Sequence, residues 1–193
     1  MNILIVYAHP NPDSFNHAIL ERVQAALVDK GYQVRVRDLY AMGFDPVLSG
    51  NDLVDINVGK LADDVAVEQD MLRWATGLLF IYPVWWFDRP AILKGWFDRV
   101  LTRGFAFDYS EDGAVGLLTQ QKAAVIMTTG GTDFDFEGMD IETLLVHPVT
   151  EGTLKFCGIQ DTAHQVLMGV PVAGEEGRRR MLDETVEFAC DFF

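Results

Sequence analysis

Hydrophobic residues gather in short unbroken runs, separated by stretches in which apolar positions recur at helical spacing. Ile3-Leu4-Ile5-Val6-Tyr7 is the first run, the pattern of a strand covered on both faces of a parallel sheet. The turn-rich loop Ala8-His9-Pro10-Asn11-Pro12-Asp13-Ser14 leads into a helix with Ile19, Leu20, Val23, Ala26 and Leu27 on one face and Gly31 just past its end. Val34 and Val36 alternate with Arg35 and Arg37, which puts the second strand at an edge or on a half-exposed face. Leu39–Lys60, interrupted by Gly43, Pro46, Gly50 and Gly59, reads as loop, and Val65–Trp74 as helix. Leu78–Tyr82 and Ala123–Met127 repeat the pattern of buried strands. Between them Pro90–Val100 reads as a helix with Pro90 at its first position. Ile141–Phe156 reads as a helix that Pro148 must break or kink, Gln165–Met168 as the last strand, and the chain from Glu175 onward as the last helix. This alternation, without repeats or linkers, predicts an α/β fold. A single domain over 1–193 carries a doubly wound parallel sheet with a layer of helices on each face.

Composition narrows the class. The chain is 49% hydrophobic and 23% charged, ordinary for a packed core. Its 15 Lys and Arg against 29 Asp and Glu give a net charge of −14. The basic stripe that nucleic-acid binding needs is therefore missing, and anionic membranes repel such a surface. Cys157 and Cys190 are too few for a disulfide scaffold or a thiolate zinc site. No stretch approaches the about 20 apolar residues of a membrane span, and the run from Ile3 is too short for a signal peptide. These features predict a soluble, cytoplasmic protein with no nucleic-acid partner and no membrane insertion.

In a doubly wound sheet, ligands bind beyond the carboxyl ends of the strands. Three loops lie there: residues 8–16, 82–88 and 128–138. Dinucleotide-binding G-x-G-x-x-G, the P-loop and the G-x-S-x-G elbow do not occur in the sequence, and His9, His17, His147 and His164 lack zinc-site spacing. In the first loop, Ser14, Phe15 and Asn16 stand where a helix start exposes unpaired amides to an anion, with Ser14 and His9 as further donors. Ser14 is equally suited to capping the helix, since a cap and an anion compete for the same amides. In the second loop, Trp85, Trp86 and Phe87 are adjacent, and side chains of an extended segment alternate faces, so some of these rings line a cleft. A planar ligand stacked there and a core or subunit contact both account for them. In the third, Thr128-Thr129-Gly130-Gly131 allows close backbone approach, although Gly-Gly also marks a simple turn. Together the loops offer a phosphate cradle, an aromatic plate and a row of amide donors. That combination suits a flavin nucleotide.

These loops resemble those of the flavodoxin-like NAD(P)H:quinone oxidoreductase (DT-diaphorase) family. The same order is kept by Tyr7-Ala8-His9-Pro10, Asp38-Leu39-Tyr40-Ala41-Met42, Phe105-Ala106-Phe107, Phe156-Cys157-Gly158 and, most specifically, Pro90-Ala91-Ile92-Leu93-Lys94-Gly95-Trp96-Phe97-Asp98-Arg99-Val100. The resemblance implies a five-stranded sheet of order 2-1-3-4-5. It implies a tightly bound flavin, FAD with FMN as the alternative, and two-electron reduction of quinones by NADH or NADPH in a homodimer with active sites at the interface. Carried across residue by residue, it assigns the flavin's pyrophosphate end to His9, Ser14, Phe15 and Asn16. Pro83, Val84, Trp85, Trp86 and Phe87 back the ring system, and Thr128, Thr129, Gly130 and Gly131 face its pyrimidine side. Phe107, Tyr109 and Phe156 belong to the substrate cleft, contributed by the partner subunit. No residue is assigned as catalytic and no metal is implied.

The chain also departs from the family. Mammalian members carry a tyrosine and a histidine after the Gly-Gly, whereas here Phe136 stands nearest the tyrosine position and Thr132–Asp140 contains no histidine. Phenylalanine donates no hydrogen bond, so negative charge on a reduced flavin falls to backbone amides such as those of Gly130 and Gly131, or to water. Asp88 stands where the family has a small residue. Two rival readings share the same loops: a flavodoxin-like one-electron carrier, and an ancillary subunit of a potassium-efflux system.

Overall fold

The unbroken apolar runs lie at the centre of one parallel sheet, where only strands flanked by neighbours and covered by helices can bury every side chain. The computed structural model describes residues 1–133 and 135–193. Strands β1 (Asn2–Tyr7), β2 (Gln33–Asp38), β3 (Gly77–Pro83), β6 (Lys122–Thr128) and β7 (Asp161–Leu167) form a five-stranded sheet in the order β2-β1-β3-β6-β7. Counted within the sheet, this is the expected 2-1-3-4-5. A two-stranded antiparallel hairpin, β4 (Phe107–Ser110) with β5 (Gly113–Gly116), stands outside it.

Side chains leave each strand alternately to the two faces. On one face Ile3, Ile5, Tyr7, Leu79, Ile81, Ala124 and Ile126 pack against α1 (Phe15–Asp29) and α6 (Gly174–Phe192). On the other, Leu4, Val6, Phe80, Tyr82, Val125 and Met127 meet α3 (Asp63–Trp74), α4 (Ala91–Val100) and the helical segment near Leu145–Leu154. The Phe80 ring meets Trp96 and Phe97 edge-on at 6.1 and 5.2 Å. Gly31 follows α1 with φ +86°, as its place past the helix end requires. No helix among the described residues is long and apolar enough to cross a membrane.

Four expectations are corrected. Leu39–Lys60 is not all loop, because α2 (Gly50–Asn57) lies within it, opened by a capping box of Ser49 and Asp52. α2 buries none of its residues, so no apolar periodicity announced it. Pro90 is the N-cap rather than the first helical residue, because its ψ of 145° keeps it extended while its carbonyl accepts from Lys94 N–H at 3.0 Å. Pro148 neither ends nor sharply breaks its helix. It sits in the short α5 (His147–Val149) between π-helical turns Glu142–Val146 and Thr150–Lys155, whose wider winding absorbs the missing N–H and the crowded ring. Finally, β7 begins at Asp161, four residues before the expected start, because an edge strand tolerates the polar Asp161-Thr162-Ala163-His164.

α4 approaches the loop before α2 so closely that a Cβ on Gly95 would overlap the Pro46 carbonyl oxygen. In an exposed helix, Gly→Ala stabilises by about 1 kcal/mol. Here main-chain overlap reverses the sign, and Gly95→Ala is expected to destabilise by about 2 kcal/mol in urea unfolding. A more stable variant would mean that the loop yields freely.

Candidate functional site

Backbone hydrogen bonds carry the pairing past the ends of the strands and bring the three loops level. Ala8 N–H donates to the Ile81 carbonyl at 3.1 Å, Val84 N–H to Thr128 at 2.8 Å, and Thr129 N–H to Leu167 at 2.9 Å. Beyond them lies an open cleft of about 460 Å³ lined by His9, Ser14, Phe15, Asn16, Pro83, Val84, Trp85, Trp86, Thr128, Thr129 and Gly130, with Val170 and Pro171. A smaller hollow of about 170 Å³ continues it through Val84, Trp86, Thr129 and Gly130 to Phe87, Gly131 and Phe136. Every residue expected to hold a cofactor therefore comes together at one sheet edge.

Val170 and Pro171 were missed. They follow β7, and the rule that ligands sit beyond strand ends pointed to that loop as much as to the other three. Phe107 and Phe156 line a separate cleft of about 190 Å³, and Tyr109 lines neither. Phe107 packs on Tyr109 at 5.8 Å and on Phe156 at 5.3 Å, so the three form one ring cluster away from the main cleft. Phe134, placed with the other rings by its sequence position, lies outside the described residues.

At the start of α1 Ser14 is the helix cap. Its hydroxyl accepts from His17 N–H at 3.1 Å, which makes it the cap, and its oxygen lies 3.4 Å from the Tyr7 hydroxyl. The amides of Phe15 and Asn16 have no partner among the described residues, and the first turn carries no acidic side chain. A positive helix end thus faces the cleft. His9 Nδ1 lies 3.1 Å from both the main-chain nitrogen and the carbonyl oxygen of Asn11, which holds the ring at the cleft mouth. Burial raises the pKa of the Tyr7 and Tyr82 phenols, so both stay protonated at neutral pH.

The aromatic loop is a tight turn in which Trp85 N–H donates to Asp88 at 2.9 Å and Asp88 N–H back to Trp85 at 3.1 Å. Its two central residues, Trp86 and Phe87, have φ of +52° and +62°. This left-handed pair is the geometry of a type I′ turn, normally built from Asn and Gly, and costs about 1–2 kcal/mol per residue. Trp86 is 96% exposed, so no packing on the chain itself offsets that cost. The conformation leaves the Trp86 and Phe87 amides without partners among the described residues, as are those of Gly130 and Gly131.

Two further observations fit a flavin. Asn16 is buried and donates through Nδ2 to Thr128 Oγ1 at 2.8 Å, yet its Oδ1 has no partner among the described residues. Gly130 has no positive φ, and a Cβ there would meet nothing within 4 Å, so neither backbone nor packing demands glycine. Gly131 differs, because a Cβ on it would come 2.8 Å from the Phe136 ring, which is packed edge-on to Phe87 at 5.9 Å. Open space over Gly130 is what a planar ligand held by amides requires.

Comparison with known proteins gives the family. The flavodoxin-like fold family matches residues 1–188. Human ribosyldihydronicotinamide dehydrogenase [quinone] is 37% identical over 200 residues, covering 93% of this chain and 87% of that protein. An uncharacterized NAD(P)H oxidoreductase of Haemophilus influenzae is 34% identical over 184 residues, covering 95% and 91%. Among solved structures, the NAD(P)H:quinone oxidoreductase of Methanothermobacter marburgensis superposes with a TM-score of 0.86 at 33% identity, covering 98% and 95%. The chain belongs to the flavodoxin-like family of NAD(P)H:quinone oxidoreductases, and it is an oxidoreductase.

If Gly130 serves a ligand rather than the fold, Gly130→Ala is expected to leave urea stability within about 0.5 kcal/mol. The same variant should retain less flavin than the parent after gel filtration.

Proposed function

We propose that this chain is a flavin-dependent NAD(P)H:quinone-type oxidoreductase that binds FAD, with FMN as the alternative, and acts as a homodimer. The observation that carries the reading is the set of unpaired amides at Phe15, Asn16, Trp86, Phe87, Gly130 and Gly131 around one aromatic-walled cleft. When bound, the flavin would supply two-electron hydride-transfer chemistry between NAD(P)H and the acceptor. The α1 amides, His9 and Ser14 hold phosphate charge. Val84, Trp85 and Trp86 form a wall for the ring system, and the Gly130 and Gly131 amides meet negative charge on its polar edge. Phe136 donates no hydrogen bond, so those amides carry that task in place of a side-chain donor.

One cleft serves both substrates in turn, which makes the order ping-pong: NAD(P)⁺ leaves before the quinone enters. Because the proton accompanying reduction comes from water, no side chain is assigned as a proton donor. Oxidoreductase names on relatives aligned over most of their length favour the enzyme over a one-electron carrier. The exposed rings support the dimer, with Trp86, Tyr109 and Phe156 at 96%, 61% and 42% exposure, since apolar patches of this kind mark interfaces. In that dimer Phe107, Tyr109 and Phe156 of one subunit cover the flavin of the other. Both cysteines are free thiols, as suits a reducing cytoplasm.

Heating the purified protein should release one flavin per chain, identified by mass, and finding none even after reconstitution overturns the reading. Double-reciprocal plots with NAD(P)H and menadione should give parallel lines, whereas intersecting lines require both substrates bound together. Tyr109→Ala and Trp86→Ala subunits, each impaired alone, should recover about half of the sites when mixed as dimers. Confirmed heterodimers without recovery would exclude a shared site.

A further inference from the structure

Arg89 lies between the aromatic turn and α4, and its side chain is only 7% exposed. Its Nε and Nη1 are buried and make no hydrogen bond among the described residues. The guanidinium stacks 4.9 Å over the Phe97 ring. Asp88 stands 3.8 Å from Nε, beyond hydrogen-bond length, and its Oδ1 accepts the Arg89 main-chain N–H at 2.7 Å instead. Lys94, the other cation nearby, is paired with Asp98 at 2.5 Å. Arg89 is therefore a largely buried charge with two donors unspent, whose counter-charge Asp88 stands at ion-pair rather than hydrogen-bond distance. Such a group gains from an acceptor that reaches those donors.

Arg89, Lys94 and Asp98 line the 190 Å³ cleft together with Phe107 and Phe156, and the Lys94–Asp98 pair is neutral, which leaves Arg89 to set the local charge. The two rings supply an apolar wall suited to a planar ring, and the guanidinium supplies a cation at its side. The rest of the surface repels anions, since the chain carries −14 overall. A local cationic point in an aromatic cleft then acts as a selector. We propose that Arg89 makes this cleft, which in the dimer proposed above closes over the main cleft of the other subunit, an acceptor subsite for planar aromatic anions, quinones bearing a carboxylate or an ionised hydroxyl on the ring. The inference rests on the quinone-reductase reading above. In the reaction, NAD(P)H gives up a hydride and becomes NAD(P)⁺. The quinone gains that hydride equivalent and one proton from water to become the hydroquinone. Its anionic substituent is unchanged and only positions the ring.

The test compares 2-hydroxy-1,4-naphthoquinone, an anion at neutral pH, with neutral menadione on the flavin-loaded protein, in the parent, Arg89→Met and Arg89→Lys. Arg89→Met should raise the ratio of the two KM values, anion over menadione, by at least about tenfold, mainly through KM rather than kcat, with Arg89→Lys in between. An unaltered ratio overturns the proposal. So does dissociation of the Arg89→Met dimer in sedimentation, which would make a partner subunit's carboxylate the missing counter-charge. If the parent reduces neither quinone, the quinone-reductase reading fails on its own. Calorimetry then decides the subsite: the hydroxynaphthoquinone anion binds the parent and not Arg89→Met, or the subsite is discarded.

Discussion

The carboxylate of Glu68 is the interaction on which this architecture leans. Glu68 is 1% exposed in the middle of α3, where an isolated charge would be untenable. Arg37, from the edge strand β2, donates to Oε1, and the indole Nε1 of Trp96, from α4, donates to Oε2 at 3.0 Å. One buried group thus ties a strand and two helices through both of its oxygens. Losing Arg37 would strand a charge in the core, which typically costs several kcal/mol, and losing Trp96 would leave the buried Oε2 without its donor. The same anchor reaches the candidate site, because α4 begins at Ala91, three residues after Asp88 closes the turn that carries Trp85, Trp86 and Phe87. Fixing Trp96 fixes the start of that helix, and with it the turn that walls the cleft.

Much of this was legible in the sequence because the physics involved is periodic. Runs such as Leu78–Tyr82 can be buried entirely only inside a parallel sheet, and such a sheet brings its strand-end loops to one edge. Elements that bury little left no periodic trace. α2 stands on its capping box, with Leu53 and Val54 facing solvent, and only Ser49 and Asp52 at the right spacing could have announced it. The winding around Pro148 was hidden for another reason. Proline's effect on a helix depends on whether neighbouring turns can widen, a property of packing rather than of local sequence.

The site divides in the same way. Residue types at a helix start, a Gly-Gly and a cluster of rings pointed to three loops that the fold brings together. What the sequence did not carry was the state of each polar group, such as the orphaned Oδ1 of Asn16 and the unpaired guanidinium of Arg89, neither of which a one-dimensional pattern records. Phe107 and Phe156, expected in a substrate cleft contributed by the partner subunit, line a hollow apart from the main cleft of their own chain.

The left-handed turn at Trp86 and Phe87 has a thermodynamic corollary. The strain of that turn is met during folding, so a ligand held on its amides would have little reorganisation to drive there. A ligand held on those amides recognises the folded chain alone, because the unfolded chain has no such turn. Free ligand at about 100 times its dissociation constant then adds about 2.7 kcal/mol to stability. That is a sizeable share of the marginal stability of a domain this size. The cellular supply of the ligand would thereby govern how long the protein survives, as well as how fast it works.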